Sequence, residues 1–335
     1  MKLAVAGAGS IGTYVGGALL AAGADVVLIG RARMQARLQE FGLTLTDLRG
    51  YRTVHPADSI PYSVDPAAMA GADLILVTVK SADTDAVAAL IAAHGAPGAL
   101  VISLQNGVGN AQRLRAALPN QVVLAGMVPF NVVQIEGNRL HRGTAGDIVT
   151  ETSGALAPWL SLFDAAGLPL RQQADFDGIQ WGKLLINLNN AVNALSGIPL
   201  QQEFSQRGYR RCLAALIDEG RTILQASGIR PAKVVKLGPR MLPLMLRLPD
   251  ALFHRVASAM LKIDPEARSS MWEDLEAGRR TEIDYLNGAV VALAASIGRT
   301  APVNARIVEL IRTAEQGARA PISGDRLYAQ LTARA

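Results

Sequence analysis

Lys2-Leu3-Ala4-Val5-Ala6-Gly7-Ala8-Gly9-Ser10-Ile11-Gly12 sets the frame for the rest of the chain. Its first five residues form a short apolar run, the pattern of a strand buried on both faces. Three glycines follow with the spacing G-x-G-x-x-G. Ser10 to Ala22 then shows helical periodicity and stops at Gly23, a residue suited to ending a helix. Asp25–Ile29 is a second buried run. A strand, glycine turn, helix and strand in about thirty residues is the unit that receives a nucleotide. The first glycine allows the tight turn, the second lets backbone approach a pyrophosphate, and the third lets helix and strand pack closely. Gly7, Ala8, Gly9, Ser10, Ile11 and Gly12 are therefore candidate dinucleotide-binding residues. The helix would offer its free N–H groups and the positive end of its dipole to the phosphates.

The end of the second strand discriminates between dinucleotides. An NAD-binding chain places Asp or Glu there for the ribose 2′-hydroxyl. Here the strand ends Leu28-Ile29-Gly30-Arg31, and Arg31 stands nineteen positions after Gly12. A guanidinium pairs with a 2′-phosphate through charge-assisted hydrogen bonds. Arg31, with Arg33 able to assist, points to NADP(H). Asp25 lies at the wrong end of the strand to replace it.

Outward from this unit the chain alternates strands and helices. Leu43 to Val54 reads as a hairpin around Arg49-Gly50. Asp73–Val79, Ala99–Leu104 and Val122–Met127 read as buried strands, with a helix from Thr84 to about His94. From Met127 to Val149, glycines and β-formers suggest an antiparallel extension of the same sheet. Leu156–Ala166 reads as a helix and Leu168–Gln172 as an edge strand. After Ala174 helical periodicity dominates to about residue 317, broken at Gly197-Ile198-Pro199, Gly228, Gly238-Pro239 and Gly298. The expected fold is an α/β Rossmann-type N-terminal domain over residues 1–172 and an all-helical C-terminal domain over 173–320. Residues 321–335 read as a loosely held tail.

Composition narrows the class. Half of the 335 residues are hydrophobic and only 4 % are aromatic, a balance that favours helices packed on a parallel sheet. The net charge is +5. No run of five or more basic residues occurs, so an enzyme of anionic ligands is expected rather than a nucleic-acid or membrane binder. The single cysteine, Cys212, fits a small buried apolar position and a reducing compartment. The run before the glycines reads as too short for a signal segment, and no uncharged apolar stretch reaches membrane-spanning length; Leu237 to Phe253 comes nearest. A cytoplasmic protein is expected. His55, His94, His141 and His254 are scattered, which disfavours a His–Asp pair. No Cys/His cluster has metal-ligand spacing, and no G-x-S-x-G elbow is present.

The sequence resembles the ketopantoate reductase (2-dehydropantoate 2-reductase) family over almost its whole length. The matching strings are the Gly7–Gly12 loop with Arg31, Leu76-Val-Thr-Val-Lys80, Gln105-Asn106-Gly107, Trp181-Gly-Lys183-Leu-Leu-Ile-Asn187, Ser269-Ser270-Met271 and Thr281-Glu282-Ile-Asp-Tyr-Leu-Asn287-Gly288. The resemblance implies NADPH-dependent reduction of a 2-oxo acid in pantothenate synthesis. It implies that Lys183 donates the proton and that Asn187 and Ser270 bind substrate. Lys80 and Asn106 would lie near the nicotinamide half of the cofactor, Asn106 also near substrate. Glu282 would lie close to both cofactor and substrate, as a second catalytic residue. The family's second asparagine, eight positions after the lysine, is Ala191 here. Asn193-Ala-Leu-Ser resembles the family's Asn-Pro-Leu-Thr, so Asn193 rather than Asn190 is the expected stand-in, through a two-residue shift.

Residue chemistry runs in parallel. Lys183 and Asn187 stand at i and i+4, on one helix face. A lysine in so apolar a segment either snorkels to solvent or is desolvated beside a cleft, and desolvation lowers its pKa toward the range of a general acid. Ser270-x-x-Glu273 and Thr281-x-x-Asp284 also fit capping boxes. Asn106, after a strand end, sits where open α/β sheets bind ligands, although an Asn-Gly turn alone would also account for it. The expected site is the cleft between the domains, and a homodimer is one assembly left open. Two rival functions remain: a reductase of another 2-oxo acid or branched ketone, and a non-enzymatic NADP(H)-binding sensor.

Overall fold

The computed structural model describes residues 1–233, 238–257 and 265–333. The chain divides into two compact units, Met1–Phe176 and Asp177–Ala335.

In the first unit the chain runs β1 (Lys2–Ala6), α1 (Ser10–Ala21), β2 (Asp25–Ile29), α2 (Ala32–Phe41), β3 (Leu43–Asp47), β4 (Arg52–His55), β5 (Tyr62–Ser63), β6 (Leu74–Val77), α3 (Thr84–His94), β7 (Leu100–Ser103), α4 (Asn110–Ala117), β8 (Val122–Met127), β9 (Val132–Ile135), β10 (Arg139–Arg142), β11 (Ile148–Glu151), α5 (Leu160–Ala165) and β12 (Leu170–Gln173). Eight strands form the main sheet in the order β12-β11-β8-β7-β6-β1-β2-β5. All pairs are parallel except β11 with β8.

The apolar runs of β1, β6 and β7 follow from burial on both faces. Leu3, Val5, Leu74 and Leu76 point into one core with α1 and α5. Ala4, Ala6, Ile75 and Val77 point into another with α3 and α4. Alternate residues of a strand face opposite sides, so both sets must be apolar.

The antiparallel extension expected up to Val149 is only partly present. β11 joins the main sheet, but β9 and β10 do not. They pair with β3 and β4 in a separate four-stranded sheet, order β4-β3-β10-β9, in which β3 and β10 run parallel. Leu43, Leu45 and Leu140 on this small sheet share the core of α1. A burial requirement 95 residues distant from β3 thus decided the partner, which no local pattern could reveal.

The second unit is helical: α6 (Phe176–Asn187), α7 (Asn189–Ser196), α8 (Leu200–Ser205), α9 (Arg207–Ala226), α10 (Leu242–Leu246), α11 (Asp250–Val256), α12 (Ser270–Glu276), α13 (Asn287–Ser296), α14 (Pro302–Glu315) and α15 (Gly324–Thr332). The twenty-residue α9 is central, and α7, α8, α10, α13, α14 and α15 all pack on it. Parts of the expected helical run, 234–237 and 258–264, lie outside the described residues, as does Leu237 of the longest apolar stretch. Among the described residues no helix is long and apolar enough to cross a membrane.

The expected loose tail is instead α15. Leu327 and Leu331, one turn apart, are buried, and Gly324 meets Gly208 of α9 at backbone contact. Ile322 N–H also donates to Leu195 O at 2.9 Å. Two apolar residues gave too short a pattern to reveal a helix whose packing depends on that glycine pair. Residues 334 and 335 of the tail lie outside the described residues.

Candidate active site

At the end of β1 the backbone N–H groups of Gly7 and Ala8 both donate to Ile29 O at 2.9 Å, which ties the loop to β2. Gly7 has φ +109°, a left-handed conformation that side chains disfavour, and a Cβ there would stand 2.6 Å from Val79 N. A Cβ at Gly12 would press into Thr78 Oγ1 and Gly7 O. Gly9 differs: it is exposed, and the nearest atom to an added Cβ would be 4.0 Å away. Two glycines therefore shape the turn and one keeps its outer face open. Gly9 caps α1 without a side-chain hydrogen bond, and the first turn carries no acid. This uncapped helix start suits an anionic group. The loop residues thus fit a dinucleotide pyrophosphate.

Arg31 stands one residue past β2 and caps the start of α2. Its guanidinium is 85 % exposed and stands 3.7 Å from the Asp83 carboxylate. So exposed an ion pair is worth little and is readily exchanged for a phosphate. Its backbone is fixed from the other side, because Tyr62 Oη donates to Arg31 O at 3.0 Å.

Lys80 and Asn106 follow adjacent strands, β6 and β7, and one buried polar network joins their loops. Ser81 Oγ donates to Asn106 O at 2.9 Å, and Asn110 Nδ2 donates to the same oxygen at 2.8 Å. Asn110 Nδ2 also reaches Ser81 Oγ at 3.0 Å, and its Oδ1 accepts from Thr84 Oγ1 at 2.9 Å. Gln105 Nε2 donates to Thr84 Oγ1 at 2.8 Å. Gln105, Asn110, Thr84 and Ser81 are all buried, so these bonds are made in low dielectric and hold both loops firmly.

In the second unit, burial pushes the Lys183 ammonium down to about 8, against the opposing pull of Glu282. The lysine is half-buried rather than exposed. Glu282 precedes a short 3-10 turn, Ile283–Tyr285, and is half-buried. Asn187, one turn after Lys183, is half-buried and makes no side-chain hydrogen bond among the described residues. The lysine helix then breaks at Leu188, and α7 begins at Asn189.

Sequence models described as Ketopantoate reductase PanE/ApbA match residues 3–153, and those of its C-terminal domain match residues 175–315. A 2-dehydropantoate 2-reductase of Halobacterium salinarum is 31 % identical over 324 residues, 94 % of this chain and 99 % of that protein. The chain belongs to the ketopantoate reductase family. It is an oxidoreductase acting on a CH–OH group. A crystal structure of a PanE/ApbA family ketopantoate reductase from Ralstonia eutropha superposes with TM-score 0.80 at 32 % identity, covering 94 % of this chain and 99 % of that one. A D-mandelate dehydrogenase solved with NADH and anilino(oxo)acetate has TM-score 0.76 at 19 % identity over 94 % of this chain and 99 % of that one, a likeness of fold alone.

Within this ketopantoate reductase fold, the candidate residues fall into two sets. Unit 1 carries Gly7–Gly12, Arg31, Lys80 and Asn106 on the loops after β1, β2, β6 and β7, at the carboxyl ends of neighbouring parallel strands. Unit 2 brings Lys183 and Glu282 together, with Asn187 on the lysine helix. Asn193, expected to hold substrate, is instead fully buried and spent inside the fold. Its Nδ2 donates to Glu203 Oε2 at 2.6 Å and Ile198 O at 3.0 Å, and its Oδ1 accepts from Ser269 N at 2.8 Å. The side chain of Asn190 is half-buried and makes no hydrogen bond among the described residues. The break at Leu188 lacks Pro or Gly, so the sequence held no signal for it.

The two capping boxes also differ from expectation. Ser269, not Ser270, caps α12, accepting from Trp272 N at 3.2 Å. Ser270 is the first helical residue and is exposed. Thr281 Oγ1 accepts from Ile283 N at 3.2 Å and donates to Glu315 Oε1 at 2.8 Å, while Asp284 pairs with Arg312. Glu282 is thereby left out of any capping box.

Proposed function

We propose that this chain reduces a 2-oxo acid with NADPH, ketopantoate to pantoate in pantothenate synthesis, with Lys183 as general acid. The observation that carries the reading is a desolvated lysine held near 8 beside Glu282, in a chain about a third identical to reductases of this name. A reduced nicotinamide held by the Gly7–Gly12 loop and Arg31 would supply a hydride to the keto carbon. Negative charge then develops on the keto oxygen, and Lys183 Nζ gives it a proton, leaving a 2-hydroxy acid and a neutral amine that solvent reprotonates. A lysine near 8 is still protonated at neutral pH and gives up its proton more readily than an exposed one. Glu282 keeps it from falling further, because its negative charge favours the ammonium.

The Gly7–Gly12 loop would hold the pyrophosphate, Arg31 the 2′-phosphate, and Lys80 and Asn106 the nicotinamide half. Asn187 and Ser270 would hold the carboxylate and hydroxyl groups of the substrate, joined by Asn190 in the place first expected for Asn193. The protein would work in the cytoplasm. The test is a panel of 2-oxo acids and branched ketones followed by NADPH absorbance. Highest kcat/KM on ketopantoate is the expected outcome. A clear preference for another 2-oxo acid would shift the substrate but keep the mechanism. That second reading draws on Ala191, which is buried and apolar where the family has an asparagine. Tight NADPH binding with no turnover of any ketone would refute the enzyme reading.

A further inference from the structure

Glu203 belongs to none of the residues assigned so far, yet it is a carboxyl only 1 % exposed. It lies on α8, and Oε2 accepts the Asn193 amide at 2.6 Å, with Asn189 as a second donor. Asn193 Oδ1 holds Ser269 N–H at 2.8 Å, and Ser269 Oγ donates to Asn190 O at 3.1 Å. The bonds run without a gap from Glu203 through Asn193 and Ser269 to Asn190. Two further contacts bind the same corner: Leu200 N to Ala267 O at 2.9 Å and Arg268 Nη1 to Gly197 O at 2.9 Å. At the outer edge stand Asn190 and Ser270, whose side chains make no hydrogen bond among the described residues.

A buried carboxyl is a costly way to hold an amide. A leucine would fill similar space with no polar group to desolvate. What the carboxyl adds is direction, since it fixes the Asn193 amide plane and through it the Ser269 backbone. We propose that Glu203 is a positioning residue for the substrate half of the site. Acting through Asn193, it sets the Ser269–Ser270 corner and the Asn190 turn so that Ser270 and Asn190 face the substrate. This rests on the reading that those two side chains bind the 2-oxo acid. Burial raises the Glu203 carboxyl to about 8, so the group is mostly neutral at pH 7 and can be replaced by an amide of the same shape.

Glu203→Leu and Glu203→Gln are compared with the parent enzyme for KM of ketopantoate, kcat, NADPH affinity and hydrogen exchange of the 266–272 segment. The leucine variant is expected to raise KM about tenfold or more, the scale of a small misplacement of binding groups. Exchange at 266–272 should quicken while NADPH affinity holds. The glutamine variant keeps an acceptor oxygen and should restore both KM and protection. If the leucine variant does not fold, Glu203→Asp, which withdraws the carboxyl by one methylene, takes its place. Unchanged KM and unchanged exchange in a folded leucine or aspartate variant would overturn the proposal. If the parent reduces no 2-oxo acid, the functional reading falls, while the exchange comparison still decides whether Glu203 holds the corner.

Discussion

At the residue scale, the proposed general acid Lys183 has a pKa lowered by desolvation and a negative neighbour, Glu282, that keeps it protonated at neutral pH. Only the ammonium can donate. Activity should therefore be full below about pH 8 and fall as pH rises through that value. Lys183→Ala should lower kcat by about two orders of magnitude and remove this basic limb, with NADPH affinity nearly unchanged. A normal kcat in this variant, with activity lost in Lys80→Ala, would mean the two lysines exchange roles. Arg31 supports a separate test. Arg31→Ala should weaken NADPH binding by about 1.5–3 kcal/mol, the worth of hydrogen bonds to a charged group. NADH binding, read by titration, should barely change.

At the scale of elements, most strands could be read from sequence because parallel strands buried on both faces are continuous apolar runs. Three features could not. The helix break at Leu188 has no Pro or Gly to mark it. The cap of α12 falls one residue before the expected serine, a choice between Ser269 and Ser270 made by Asn190 and Asn193, which take up the first. α15 rests on two leucines and a glycine contact. Leu327→Ala should cost about 2–5 kcal/mol in chemical denaturation, the range for a buried leucine. A change below about 0.5 kcal/mol, typical of surface positions, would return this segment to a loose tail.

For the whole molecule, pH and ligand act on stability in opposite ways. The Glu203 carboxyl titrates near 8 when folded and near its ordinary 4.5 when unfolded, so the folded chain binds the extra proton between those values. The stability linked to this group is complete below about pH 4.5 and is lost as pH rises through about 8. Asn189 and Asn193 on α7 donate to the carboxyl, and Tyr209 and Cys212 on α9 lie close enough to feel its charge. Glu203→Gln should flatten the decline of Tm between about pH 5 and 8; an unaltered slope would show the carboxyl ionised in the fold. NADPH, binding only the folded chain, should add about 2.7 kcal/mol at a hundredfold excess over Kd. The candidate residues of both units could be named from sequence through their motifs. The choice of Asn190 over Asn193 and the role proposed for Glu203 could not, because they depend on which neighbouring amide is spent inside the fold.

The small sheet has a consequence for synthesis on the ribosome. Its β3 pairs with β10 in register from Thr44 with Arg139 to Asp47 with Arg142. The hairpin of β3 and β4 therefore emerges with the β3 edge open and waits for some eighty residues before its partner is made. An exposed strand edge is a template for pairing with another chain. The nascent protein is thus most exposed to aggregation while residues 56–138 are being translated. A ribosome stalled near residue 120 should hold a hairpin sensitive to protease, and one stalled well past Arg142 should hold it protected.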